Sequence, residues 1–187
     1  MPDDTEQKER MDRFVESAVS AGASVERIPP SSSSLSNTFR DLLADTETVV
    51  CSQPDTLDSK FHSCFTDLPQ VLTDPSDSEL ESSDAGLTEA FAGVARTGTV
   101  CIDVTRDLAG AVSLFPPVHV AVLTSDTIVP RPRDLFEGER AKEVPSRSNV
   151  TLISGPSATA DMGPLVQGVH GPGTLHVILI DSGQNTT

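Results

Sequence analysis

Tryptophan and tyrosine are missing from this chain, and phenylalanine occurs only seven times. The core must therefore be assembled from Val, Leu, Ile, Ala and those few rings. Lysine is confined to Lys8, Lys60 and Lys142, and Lys and Arg together number 13 against 28 Asp and Glu. The resulting net charge of −15 argues against nucleic acid as a partner, because phosphate binding needs a basic surface. It also argues against binding to an anionic membrane. It suits a salt-adapted surface as well as an ordinary acidic one. No apolar run approaches the roughly 18–20 residues that span a bilayer. The start, Met1-Pro2-Asp3-Asp4, is acidic and lacks the basic-then-apolar layout of a signal peptide. A soluble, cytoplasmic protein is expected. Cys51, Cys64 and Cys101 are widely spaced and form no CxxC pair. A disulfide framework does not fit them, and three thiols cannot build a four-cysteine iron–sulfur site. Cys51 and Cys101 lie inside apolar runs and read as buried structural thiols.

What is present alternates helical and extended patterns. Met11, Phe14, Val15, Ala18 and Val19 share one face of a helix over about Asp4–Ala21, with Gly22 as its stop. Ala23–Ile28 reads as a strand. Ser31–Ser34 can cap a second helix whose apolar face is Leu35, Phe39, Leu42 and Leu43. Thr48–Cys51 is a strand, Leu57–Phe65 helical, and Gln70–Thr73 a strand. The acidic stretch Asp74–Gly86 reads as a loop or a short solvated helical turn. Beyond it, Leu87–Ala95, Thr99–Val104, Val118–Leu123 and Thr127–Val129 read as strands, with a helical turn over Leu108–Leu114. A short helix is expected within Arg131–Lys142. The alternation predicts an α/β fold, a three-layer sandwich with a mostly parallel sheet. The length, 187 residues, suits a single domain. Its first 22 residues would form a helical arm, and residues 85–181 its motif-bearing part.

The most informative stretch is Asn149–Asp181. Val150–Ile153 and Leu175–Ile180 read as buried strands, and between them lies a segment dense in Gly, Pro, Ser and Thr. In open α/β sheets, ligands bind beyond the carboxyl ends of strands, and this segment is placed there. Ser154, Gly155, Ser157 and Thr159 make a strand–loop–helix passage suited to an anion, since the free N–H groups at a helix N-terminus carry partial positive charge. It lacks the lysine of a Walker A motif and the spacing of a nucleophile elbow. Asp161 is either an acid–base residue or the N-cap of a helix over Met162–Val169. His170, between glycines, is either a proton-transfer residue facing a pocket or a loop histidine bonded to a carbonyl. Thr97, Gly98 and Thr99 form either an anion-binding turn or a plain hairpin. His119 and His176, each inside an apolar strand, read as core residues, and nothing in the histidine spacing builds a metal site.

Two blocks carry a resemblance. The first runs Ser154-Gly155-Pro156-Ser157, Thr159-Ala160-Asp161, Gly168-Val169-His170-Gly171-Pro172 and Leu175-His176-Val177-Ile178-Leu179. The second is Ala95-Arg96-Thr97-Gly98-Thr99-Val100 with Leu114-Phe115-Pro116-Pro117-Val118-His119-Val120. Together they resemble the LUD-domain family, lactate-utilization protein C (LutC/YkgG) type. The chain departs from the pattern at Arg96 and Gly163, where many relatives carry an acid, and at Ala158, where they commonly carry arginine. The resemblance implies a sheet like that of the NagB/RpiA/CoA-transferase-like proteins. It also implies work with iron–sulfur partner subunits in oxidising L-lactate to pyruvate, with no cofactor held by this chain. In that reading Thr97, Gly98, Thr99, Ser154, Gly155, Ser157 and Thr159 hold a carboxylate or phosphate, and His170 with Asp161 handles a proton. Two other readings stand beside it. One is a non-catalytic assembly or regulatory subunit, whose sign would be an exposed apolar patch near residues 164–169. The other is a stand-alone enzyme or binding protein for a phosphorylated or CoA/folate-like anion, which would need a basic patch. Arg96, Arg131, Arg133 and Arg140 are its candidates. The oligomeric state is left open.

Overall fold

A computed structural model describes residues 4–105, 108–137, 149–160 and 163–182. The chain opens with helix α1 (Asp4–Ser20), which buries Met11, Phe14 and Ala18. It ends where the positive φ of Gly22, 91°, turns the chain into strand β1 (Ser24–Ile28). Helix α2 (Ser32–Leu42) starts at Ser31, whose hydroxyl accepts a hydrogen bond from the Ser34 N–H, and buries Leu35 and Phe39. Strand β2 (Val49–Cys51), a 3-10 turn (Ser59–Phe65) and strand β3 (Val71–Leu72) follow. The acidic stretch holds helix α3 (Asp77–Glu81), closed by a reciprocal Ser76–Glu79 cap and pinned by buried Leu80. Strands β4 (Ala85–Glu89), β5 (Ala92–Val94) and β6 (Thr99–Asp103), helix α4 (Ala109–Val112) and strands β7 (Val118–Thr124) and β8 (Ile128–Val129) come next. A 3-10 turn spans Pro132–Phe136. The last strands are β9 (Val150–Ile153), β10 (Ala158–Thr159), β11 (Val166–Gln167) and β12 (Thr174–Ile180).

Among the described residues, six strands form one all-parallel sheet in the order β1-β12-β7-β4-β2-β3. A parallel sheet is stable only when both faces are covered, and alternate residues of β7 divide accordingly. Val120 and Val122 face a core made by α2 and the Ser59–Phe65 turn, where Phe39 and Phe65 meet edge to face at 5.4 Å. Ala121 and Leu123 face the opposite core, closed by Met11, Phe14 and Ala18 of α1 and by Val100 and Ile102 of a second, four-stranded sheet in the order β8-β5-β6-β9. The result is the three-layer α/β arrangement that the alternating pattern predicts.

Several sequence expectations fail for identifiable reasons. The single strand expected over Leu87–Ala95 is two strands in two sheets. The chain leaves the central sheet after Glu89 and enters the small one at Ala92. The strand at Val150–Ile153 forms, but at the edge of the small sheet, with Leu152 half exposed. The helix expected over Met162–Val169 is absent from the described part of that span. Val166–Gln167 instead pairs antiparallel with Ala158–Thr159, and Gly163 and Gly168 take φ of 131° and 77°, values closed to helix. The Arg131–Lys142 helix reduces to the Pro132–Phe136 turn, and its later part lies outside the described residues.

The second layer depends on two glycines that fall in the motif blocks. Gly98 has a φ of 62°, and a Cβ there would lie 2.1 Å from the backbone nitrogen of Ala18. Gly155 has a φ of 72°, and its Cβ would lie 2.1 Å from the carbonyl oxygen of Ala21. The end of α1 therefore sits directly on the backbone of both loops. Gly98→Ala or Gly155→Ala should each lower stability by about 2–4 kcal/mol, from left-handed strain plus displacement of α1. Gly110→Ala, whose Cβ meets nothing closer than 3.4 Å, should be near neutral. Urea denaturation of the three variants checks this, and equal midpoints would refute the seating role.

Candidate functional site

The two motif loops converge on one cavity of about 340 Å³. Ser154, Gly155 and Ser157 come from the loop after β9, and His170, Gly171 and Pro172 from the loop before β12. The loops are tied together: the Ser157 N–H donates to the Pro172 carbonyl at 2.7 Å, and the Gly168 N–H to the Ser157 carbonyl at 2.9 Å. Gly171 packs against Ser157, where an added Cβ would come within 3.2 Å of the serine Cβ. Gly110, Ser113 and Leu114, in and just after α4, close another wall, and His119 and Leu175 form the floor.

The floor places the site. His119 and Leu175 pair across β7 and β12 at the second residue of each strand. The cavity therefore opens at the amino ends of the central strands, not at the carboxyl ends where the sequence pattern placed it. His170, Gly171 and Pro172 lead directly into β12 and so lie at its amino end, and the loop after β9 meets them there through the Ser157–Pro172 hydrogen bond. The carboxyl edge carries a separate depression of about 450 Å³ that includes Lys60, Asp58, Asp126 and Ser182. Among the described residues, none of the sequence-predicted site residues lines it.

The predicted residues sort by position. Ser154, Gly155, Ser157 and His170 line the cavity. Thr99 reaches it indirectly: its hydroxyl is 2.7 Å from that of Ser154 and 2.6 Å from that of Thr97. Thr97 is exposed in the β5–β6 hairpin, and Gly98 is given over to α1. Thr159 lies in β10, outside the lining. Asp161 lies outside the described residues, and no helix follows within 163–169 for it to cap. The same absence removes the helix N-terminus on which the anion-cradle argument relied, and the Ser157 N–H is already committed to Pro172.

One lining residue falls outside the set that the sequence suggests. His119 has the pattern of a core histidine and is 1% exposed, yet it also lines the cavity. Its Nε2 is 2.8 Å from the Thr88 hydroxyl, while its Nδ1 is buried without a partner among the described residues. A buried polar atom left unsatisfied is uncommon and costly. The available signal was the block Pro116-Pro117-Val118-His119, which belongs to the family-like pattern. His176, by contrast, is satisfied by a hydrogen bond between its Nδ1 and the Ser24 hydroxyl.

The lining is electrostatically plain. Among the described residues it contains no Lys, Arg, Asp or Glu, only hydroxyls, apolar groups and two histidines. Arg131 and Arg133 both lean on Asp134, at 3.2 and 3.7 Å, and neither belongs to this lining. The thiols are buried, and burial pushes Cys101 up to about 12. Around the cavity mouth and on the adjoining hairpin, Leu114, Leu152, Leu165, Val166 and Val169 stand half exposed or more.

A three-layer α/β protein whose motif loops enclose a small uncharged cavity is the class that fold and site define. The sequence model of the LUD domain matches residues 11–180, and the chain belongs to that family. An uncharacterised protein of Neisseria meningitidis is 39% identical over 98 residues, 52% of this chain and 42% of that one. Lactate utilization protein C of Deinococcus radiodurans is 38% identical over 107 residues, 56% of this chain and 50% of that one. Its Bacillus subtilis counterpart is 35% identical over 104 residues, 54% and 43% of the two chains. The matches thus span about half the length of these curated relatives. A crystal structure of a DUF162 family protein from Deinococcus radiodurans superposes with a TM-score of 0.68 at 25% identity, covering 93% of this chain and 98% of that one.

Burial holds His119 down to about 4, against about 6.5 for a free histidine. Below pH 6.5 the unfolded chain takes up a proton that the folded protein refuses until about pH 4. The stabilisation is complete above pH 6.5 and declines as pH falls toward 4, by about 3 kcal/mol in total. Comparing wild type with His119→Gln at each pH isolates this histidine from the many carboxylates. The stability difference between them should shift against wild type by that amount between pH 7 and 4. A pH-independent difference would contradict the assignment.

Proposed function

We propose that this protein is a lactate-utilization protein of the LutC type. It would hold L-lactate in the cavity between the Ser154–Ser157 and His170–Pro172 loops, while iron–sulfur partner proteins take the electrons. The observation that carries the proposal is the convergence of both family-like loops on one small cavity lined by hydroxyls and imidazoles. The names of the Deinococcus and Bacillus relatives supply the metabolic direction. Oxidation of lactate to pyruvate releases two protons and two electrons. In this reading the Ser154 and Ser157 hydroxyls hold the small acid, and His170, at the exposed mouth, relays the two protons in turn to water while the partners take the two electrons. Asp161, outside the described residues, carries no part of it.

Size and charge weigh against a phosphorylated, CoA-linked or folate-like ligand. At about 340 Å³ the cavity is near the lower limit of ligand sites, which begin at about 300 Å³. No cationic side chain among the described lining residues would meet a phosphate. A subunit role has its own support in Leu165, 67% exposed, with Val166 and Val169 beside it. Exposed apolar residues grouped this way mark interaction surfaces, and here they adjoin the cavity mouth, where an electron-accepting partner has to approach.

The purified chain should bind L-lactate yet reduce no dye acceptor by itself, and should gain turnover on addition of iron–sulfur partner proteins. The lactate-induced rise in melting temperature should disappear in Ser157→Ala and His170→Ala. Dye reduction by the chain alone would refute the division of labour, and absence of any lactate shift would refute the site.

A further inference from the structure

His119 combines properties that a core histidine does not need. The register places it level with Gly86 on one side and Leu175 on the other. Gly86 offers no side chain there, because a Cβ would strike the Val112 carbonyl of α4 at 1.9 Å. The imidazole therefore lies beneath α4, among the residues that line the cavity. Its Nε2 is engaged by the Thr88 hydroxyl at 2.8 Å, and its Nδ1 is buried with no partner among the described residues. The one histidine is at the floor and the other, His170, at the exposed mouth, so the cavity has a dry end and a wet end. A carboxylate is cheapest to bind near water, and the 2-carbon bonded to it can then turn its oxygen inward, toward His119.

We propose that Nδ1 of His119 reads the 2-oxygen of a small 2-hydroxy or 2-oxo acid, with Thr88 setting its hydrogen-bonding sense. A hydroxyl both donates and accepts, and it rotates freely. When the Thr88 hydroxyl donates to Nε2, the neutral ring carries its proton on Nδ1 and offers a donor, which suits a ketone oxygen. When Nε2–H donates to Thr88, Nδ1 is an acceptor, which suits an alcohol. One pair of side chains thus accommodates both members of a hydroxy-acid/keto-acid couple without moving a charge into the interior. The low proton affinity that burial gives His119 keeps the ring in the neutral form that this requires. The inference rests on reading the cavity as the seat of a small acid, and it adds which atom distinguishes that acid from its relatives.

The test compares L-lactate, pyruvate and propionate, the last sharing the carboxylate and chain length but lacking the 2-oxygen. NMR titration of the full-length protein should give lactate and pyruvate dissociation constants about tenfold below that of propionate, the scale of one well-made buried hydrogen bond. His119→Gln, whose amide can still reach Thr88 but replaces nothing at Nδ1, should erase that margin. His119→Asn, whose amide sits near the Nδ1 position, should retain part of it. In wild type, 15N shifts of the His119 ring should report the Nε2–H tautomer with lactate and the Nδ1–H tautomer with pyruvate. Equal binding of all three acids would overturn the role of His119 while leaving the site standing. Binding of none would overturn both. If His119→Gln fails to fold, the wild-type margin and the two tautomers decide, and one tautomer with both ligands overturns the proposal.

Discussion

The packing of the end of α1 onto two bare stretches of backbone is the contact on which the rest depends. Gly98, in the β5–β6 hairpin, and Gly155, after β9, each leave room for helix backbone and for nothing else. Through them α1 fixes two loops of the small sheet at once. Met11, Phe14 and Ala18 meanwhile bury the face of the central sheet that carries Ala121, Leu123, Leu175, Val177 and Leu179. The hydroxyl series Thr97, Thr99 and Ser154 runs beside this seat, so the edge of the cavity is positioned by a packing contact. Gly98 and Gly155, which a sequence reading assigns to a ligand, also seat the end of a helix, and Gly155 lines the cavity as well.

The layered architecture was legible because it follows from patterns that a single sequence displays. Apolar runs such as Leu175–Ile180 announce strands buried on both faces, and Met11, Phe14 and Ala18 announce a helix lying on a core. What failed were features decided by tertiary context. No local signal marks where Leu87–Ala95 passes from one sheet to the other. The Met162–Val169 segment contains apolar residues at helical spacing, yet Gly163 and Gly168 adopt conformations that only the surrounding turn requires. Val150–Ile153 is as apolar as a central strand and still lies at an edge.

The residues of the candidate site were legible in part, and its position in the fold was not. Ser154, Gly155, Ser157 and His170 were singled out by sequence, and the fold brings them to one cavity. His170–Pro172 lie at the amino end of β12 because they lead directly into it, but that the loop after β9 meets them there depends on β9 lying in the second sheet, which no local pattern shows. His119 escaped notice for a related reason. An alternating strand histidine looks like a core residue until the register reveals Gly86 beside it and an unsatisfied Nδ1. The uncharged lining and small volume then narrow the chemistry. They suit a small acid held by neutral hydrogen bonds and do not suit a phosphorylated ligand.

Whether this cavity or the depression at the carboxyl edge receives the ligand is decided by a crystal structure of the protein soaked in L-lactate. Lactate density is expected between Ser157 and His170, with the hydroxyl toward His119. Lactate bound instead beside Lys60 and Asp126, at the carboxyl ends of the central strands, would overturn this placement.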